Sequence, residues 1–439
     1  MSARIPALST AALAAALLVP AAAQAAPPWT APTQLTASAG LAPSLAFDGD
    51  GDGVASVRVG AMGREAFGVR ADGTKTWSRA ASTLGAGPIP SGSGRTISLR
   101  LQKAGGADRV LVGWSEGTTS GTIGTLRPLR TVPLRTSEYA LAAATSGDAA
   151  IAFVEELGGG RSRLWFTTRR AGGTFQTPRI IRGTGSQRSV SVSVNDRGRY
   201  VVAWSQNGTG DPRVEARMGR TSGRGNGLLN AGPSLGVARV STLVTGTGRT
   251  TVAWGTEDGG EEQNEPTEIR AAVAPSTSFV LRPSTQIDRA ADGALEGDVP
   301  SPSLAAGASG TTTIAYTLSG RFVDNDARTP VRVSRQDARA VFGAPAELTA
   351  DGTHGEITAS PDGTVTVPYV LGAQLPFTDL PLQVARRTSV ESAFGAPEEV
   401  TTDASPFVVS ASAPGTSGAP QILYVRGAAK DVALTRRAG

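Results

Sequence analysis

The chain has no cysteine in its 439 residues. That excludes disulfides, thiolate zinc sites, a cysteine nucleophile and a lipid anchor at a signal cleavage site. It has one histidine, His354, so a histidine metal cluster is excluded and a Ser/His/Asp arrangement has nowhere else to form. His354 follows Asp351-Gly352-Thr353 and reads as a surface loop residue. Only one long apolar run occurs, Leu8–Val19, and it is too short and alanine-rich for a membrane span. No later window keeps a 3.6-residue apolar stripe, so helix should be scarce.

Clustered charge of one sign is also missing. The chain carries 42 basic and 37 acidic residues, a net charge of +5, with a pI of 9.9. The basic residues are nearly all arginine, evenly spread, with few aromatics beside them. Binding a nucleic acid backbone needs concentrated positive charge, so no nucleic-acid partner is expected.

What the chain does have is 55 glycines, 28 prolines and many threonines and valines, a strand- and turn-rich composition. Its start reads as an export signal: Arg4, then the apolar run, then the small-x-small site Ala23-Gln24-Ala25. Cleavage after Ala25 makes residues 1–25 a signal peptide and 26–439 one domain, expected outside the cell. No interior stretch reads as a domain linker.

A pattern recurs along the whole chain, clearest in NDRGRYVVAW (195–204): a glycine turn, a short β-type run, then an aromatic. Relatives end at Trp114, Phe153, Trp254, Tyr316, Tyr369 and Tyr424, with a weaker copy in DGDGVASV at 50–57. The landmarks lie 39 to 62 residues apart, and about eight copies of roughly 52 residues suit a four-stranded blade. In this reading the landmark run is the second strand of each blade. The expected fold is therefore all-β, a single propeller of about eight four-stranded blades, with seven as the alternative.

A second motif has an aromatic, a proline three residues on and an aliphatic three later: Phe175-Pro178-Ile181, Phe342-Pro345-Leu348 and Phe394-Pro397-Val400. Proline cannot donate to an interior ladder, so the motif marks an outermost strand. Trp29, Pro32 and Leu35 repeat it just after the signal, while the chain ends on DVALTRRAG with no such motif. The N-terminal strand is thus expected to join the last blade and close the ring.

Three features bear on chemistry. Asp48, Asp50 and Asp52, followed by Gly53, form a D-x-D-x-D-G loop, with oxygen ligands at alternate positions around a tight turn as Ca²⁺ requires. The loop resembles calcium loops of integrin-type FG-GAP repeats and EF-hands, and Ser56 falls where FG-GAP loops carry a further ligand. This resemblance implies a Ca²⁺ site of Asp48, Asp50, Asp52 and Ser56. Val59 replaces the bidentate glutamate of an EF-hand. Second, ADGTKTW (71–77) resembles the Asp-box of bacterial sialidases in Asp72, Thr76 and Trp77, a structural turn rather than a catalytic one. Third, Glu116, Glu155, Glu156, Glu257 and Asp258 follow the landmark aromatics and would enter loops on one face, where a carboxylate pair can do glycosidic acid–base work. Trp114, Trp204 and Trp254 end apolar β runs once per unit and read as core, not sugar-stacking platforms.

As a whole the chain resembles secreted β-propeller repeat proteins of high-GC bacteria, and more distantly sialidase-type and FG-GAP propellers. That resemblance implies a monomeric, non-catalytic binding scaffold whose carbohydrate or protein ligand docks on one face of the propeller. The alternative is a sialidase-like glycoside hydrolase acting on extracellular glycans. No catalytic residue is assigned.

Overall fold

The computed structural model describes residues 29–36, 41–59, 63–81, 84–104, 109–133, 138–207, 211–223, 225–257, 267–290, 301–307, 309–318, 322–323, 326–327, 329–360, 362–372, 379–388, 393–412, 419–427 and 431–437. The signal-like segment and Asp258 lie outside them. No helix occurs among the described residues, and none there is long and apolar enough to cross a membrane.

The strand Arg199–Asn207 shows why the chain folds as it does. Successive side chains of a strand point to opposite faces. Tyr200, Val202 and Trp204 pack with Ala150, Ala152, Val154, Leu164 and Phe166 of the preceding strand set. Val201 and Ala203 pack with Val252, Trp254 and Ala272 of the following one. Both faces are apolar because both are covered. Thr250–Glu257 repeats the arrangement, with Trp254 turned back toward the preceding sheet and Ala253 forward onto Ile314 and Tyr316.

The result is a propeller-like arrangement of small antiparallel sheets. Four of them are four-stranded and span 41–81, 84–133, 237–290 and 303–349. A seven-stranded sheet and an eight-stranded sheet hold the rest, apart from a two-stranded hairpin at Phe322–Val323 and Asp326–Ala327. Each large sheet contains one long strand that serves two strand sets in turn. Arg179–Val194 pairs first with Arg161–Arg169 and then with Arg199–Asn207, and its register shifts between Arg188 and Ser191. Ser189, at φ 48°, makes the bend. Glu398–Ser412 does the same, with its shift between Ala404 and Val409.

One landmark needs correction. In most strand sets the run after the glycine turn is the second strand, as for Phe153, Trp204 and Trp254. The run ending at Trp114 belongs to Arg109–Thr118, the third strand of its sheet. The second strand there is Arg95–Ala104, which follows the turn at 91–94 and carries Leu99 and Leu101 but no aromatic. That substitution produced the short spacing of 39 residues.

The proline motif stands at the entry to the fourth strand. Pro178, Pro345 and Pro397 each precede its first residue, Arg179, Ala346 and Glu398. Pro32 likewise precedes Thr33–Thr36, which pairs antiparallel with Val432–Arg436 near the other end of the chain. Trp29 adds a bridge to Arg437. Leu35 is 3% exposed, in a cluster that joins Val432 and Leu434 to Leu45, Ala55 and Phe67 of the first sheet. Truncating a buried leucine costs about 2–5 kcal/mol. Leu35→Ala should lower unfolding free energy by that order in urea titration, whereas Val280→Ala, at a side chain 61% exposed, should change it by less than about 0.5 kcal/mol.

Candidate functional site

The hairpin between the first and second strands of each set is a repeated device. In the turns starting at Asp48, Ala144, Asn195, Thr245 and Gly307, the first N–H donates to the carbonyl of the fifth residue, and the fourth N–H returns to the first carbonyl or close to it. The fourth residue is glycine with positive φ, for example +84° at Gly51 and +67° at Gly198, a conformation that disfavours a Cβ.

The three aspartates lie on the first of these hairpins. The Asp48 carboxylate is buried; its Oδ1 accepts the N–H groups of Asp50 and Asp52 at 3.0 Å each, and its Oδ2 accepts the N–H of Gly94 from the next sheet at 3.1 Å. Neutral Asn195 plays the same part in its own hairpin: Oδ1 accepts from Arg197 and Arg199, and Nδ2 donates to the carbonyl of Thr245 in the next turn at 2.8 Å. Asp50 and Asp52 are exposed, and Asp50 Oδ2 accepts the hydroxyl of Ser93. Ser56 lies within the strand Asp52–Val59, buried, bonded to Ser44 Oγ at 2.8 Å and to Arg64 Nη1 at 3.1 Å. Among the described residues no group of three His, Cys, Asp or Glu side chains is set to hold a metal ion.

Two of the candidate acids, Glu116 and Glu155, are engaged with neighbouring side chains. Glu116 is at the end of a third strand, so it approaches the loop before the fourth strand rather than the loop after the second, a correction that follows from Trp114. Its Oε1 meets Arg169 Nη1 at 2.7 Å, and its Oε2 meets Arg127 Nη2 at 3.5 Å. Glu155, buried, accepts the indole N–H of Trp165 at 2.8 Å and has Arg163 at 3.9 Å. Glu156 is next to it, half-buried, near the end of the second strand Ala149–Gly158. Glu257 ends the strand Thr250–Glu257. Trp204 and Trp254 are 0% exposed and Trp114 2%, so all three are core.

The Asp-box-like segment is the turn between Gly63–Arg70 and Lys75–Ala81, the third and fourth strands of the first sheet. Asp72 Oδ1 accepts the N–H of Thr74 at 2.8 Å, and the bonds from Thr74 hold its carboxyl below the usual range. Trp77 donates its indole N–H to the carbonyl of Thr119 in the next sheet.

His354 is not a loop residue. It closes the strand Gly352–His354, opposite Tyr369, and its Nδ1 lies 2.8 Å from Thr317 Oγ1. Burial pushes its pKa down to about 4. Tyr316 illustrates the opposite shift: its hydroxyl donates to Asp288 Oδ2 at 2.8 Å, and burial together with that carboxylate raises its pKa far above the ordinary phenol value.

Sequence reading missed an inter-sheet cleft of about 570 Å³ between the sheet 303–349 and the strands that follow it. Arg335, Arg387, Glu347, Thr313 and Phe394 are among its walls. The two arginines sit in ordinary strand patterns, VRVSR and LPLQVARR. Only counting strand positions from the hairpin turns would have brought them together.

No family model and no curated protein matches the chain. Solved structures it is similar to include an ulvan lyase of a new polysaccharide lyase family, PL25, bound to a glucuronate–sulfated rhamnose saccharide (13% identity, 92% of this chain and 94% of that one, TM-score 0.45). A neuraminidase-like protein of a little yellow-shouldered bat isolate is another (12% identity, 69% and 95%, TM-score 0.37). A third is the Aleuria aurantia lectin in complex with a fucosyl-GlcNAc disaccharide (11% identity, 68% and 94%, TM-score 0.35). None is similar enough to inform activity or ligand.

Two outcomes follow from the geometry. Asp48→Ala removes the acceptor for three backbone N–H groups; unmade bonds of this kind cost about 1–3 kcal/mol, so its melting temperature should fall by several degrees even in chelator. For His354, the folded pKa lies below the unfolded value of about 6.5. Between these values the unfolded chain binds the proton and the folded chain does not, so this residue should withdraw stability as pH falls from about 6.5 to 4. His354→Gln should flatten the decline of melting temperature across that window, and an unchanged slope would refute the assignment.

Proposed function

We propose that the chain is a secreted, non-catalytic binding scaffold built as a closed ring of eight four-stranded units, with a carbohydrate or protein ligand docking on one of its faces. The eight units are the four separate sheets plus two strand sets in each of the two large ones. Closure runs through Thr33–Thr36 on Val432–Arg436 and through the cluster around Leu35. Gln421 Nε2 also donates to the carbonyl of Arg70 at 2.7 Å, across a sequence separation of 351 residues. Export is proposed from the segment 1–25.

One observation carries the non-catalytic half of this reading. Glu116 and Glu155, two of the five carboxylates the sequence offered for acid–base work, are each engaged with a buried neighbour: Arg169 in one case, Trp165 in the other. An acid–base pair needs one carboxyl free to give a proton and another free to face the reacting carbon or its attacking water. Carboxylates held by a guanidinium and an indole serve packing instead. Purified protein should therefore leave fluorogenic sialosides and other common glycosides intact, while a glycan array reports whether a carbohydrate is retained. Hydrolysis lost on Glu155→Gln or Glu156→Gln would replace the scaffold reading with the sialidase-like glycoside hydrolase.

A further inference from the structure

The interfaces between neighbouring sheets repeat, so one position can be compared from interface to interface. At one of them Arg169 is 2% exposed and meets Glu116 at 2.7 Å. Arg169 pairs across its sheet with Ala149, five residues past the start of the turn at Ala144. Glu116 pairs with Ile97, six residues past Ser91. The same count from Ser360 leads to Val365, whose partner is Arg387, and from Gly307 to Thr313, whose partner is Arg335. Arg387 is thus the counterpart of Arg169, and Arg335 stands where Glu116 would be. The carboxylate that neutralises one buried arginine is replaced by a second arginine.

The consequences are visible around Arg387. It is 3% exposed and its Nη2 donates to Thr313 Oγ1 at 3.0 Å; its Nε has no acceptor, a feature it shares with the Nε of Arg169. Its guanidinium lies 5.4 Å from the centre of the Phe394 ring. Among the described residues no carboxylate pairs with Arg387 or Arg335. Glu347, in the same cleft, is held by Arg332 through bonds of 3.3 and 3.2 Å. Burial, and then the neighbouring Arg335, hold the pKa of Arg387 below the ordinary guanidinium value. A buried charge without a partner is costly, and here a cleft of about 570 Å³ adjoins it, open past exposed Ala393, Gly395 and Pro397. Ligand pockets commonly fall between about 300 and 1,000 Å³.

We propose that this cleft binds an oxyanion, a carboxylate or sulfate, between Arg335 and Arg387, with Phe394, Leu348 and Val333 as an apolar wall for the body that carries it. The anion supplies the charge that Glu116 supplies at the other interface. This proposal rests on the cleft alone and does not depend on the scaffold reading.

The test is thermal unfolding of the full chain at low, matched ionic strength with sodium sulfate, sodium glucuronate, glucose or sodium chloride. Sulfate or glucuronate should raise the melting temperature in a saturable way, while glucose and chloride should not. A response to glucuronate well above that to sulfate assigns the oxyanion to an acidic sugar; a response to sulfate alone assigns it to the free ion. Arg335→Glu recreates the Glu116–Arg169 pair: it should melt higher without any anion and lose the anion response at least tenfold in apparent affinity. Arg387→Met should lose the response as well. No shift beyond chloride, or a full response in Arg335→Glu, overturns the proposal.

Discussion

Everything in this molecule follows from sheets that are apolar on both faces. A lone four-stranded sheet of this kind would leave both faces in water. Fully burying a large apolar side chain stabilises by about 1.5–3 kcal/mol, so each sheet is stable only between two others. The strand Arg199–Asn207 divides its side chains accordingly, Tyr200, Val202 and Trp204 backward, Val201 and Ala203 forward. Near the chain end, Ile422 and Tyr424 pack backward against Val370, Leu382 and Val384, and Leu423 and Val425 forward against the first sheet. A linear stack would expose a face at each end. The clusters offer a reason for the ring proposed above: the forward face of the last set finds its partner in Leu45, Val57 and Phe67.

Polar ties between units follow the same logic at the hairpins. Three side chains at or just after a turn, Arg199, Arg249 and Asn195, reach into the next unit and bond backbone carbonyls. Arg199 Nη1 donates to Ser276 O at 2.8 Å, Arg249 Nη2 to Ala338 O at 3.0 Å, and Asn195 Nδ2 to Thr245 O at 2.8 Å. Buried backbone groups in turns need partners, and these donors provide them without a paired carboxylate. Part of the chain's arginine thus works between neighbouring sheets, bonding carbonyls.

Much of this was legible in sequence, because the signals were local. A glycine turn followed by alternating β-branched and aromatic residues marks a hairpin and a strand buried on both faces, as in NDRGRYVVAW. Proline just before Arg179, Ala346 and Glu398 marks the entry to the fourth strand of a set. Where the aromatic moved, reading failed: Leu99 and Leu101 occupy the second strand of the sheet 84–133, and Trp114 the third, so Glu116 was assigned to the wrong loop. His354 was misread because a glycine beside it suggested a loop, whereas Gly352 begins a short strand whose position is set by Tyr369 and Thr317 far along the chain. The acidic loop posed a different problem. Alternating aspartates satisfy the spacing for a cation, and Asn195 shows that the same backbone turn also uses an acceptor at its first position, so a structural and a metal-binding role give the same sequence signal.

Repetition also separates what maintains the fold from what departs from it. An element present in unit after unit, such as the hairpin glycine or the buried landmark aromatic, is required by packing and says little about function. Departures are informative because packing does not demand them. Glu155 deviates, yet its partner Trp165 absorbs it within the same sheet. Asp288 deviates, and Tyr316 with Arg332 absorbs it. Arg335 deviates without such absorption: it confronts Arg387 where a carboxylate neutralises the equivalent Arg169, and the space beside it is unfilled by side chains. An interface that served packing alone would gain from glutamate or an aliphatic at that position. The residue that departs from the repeat, and whose described neighbours leave its charge uncompensated, is where a function distinct from holding the sheets together has a physical basis.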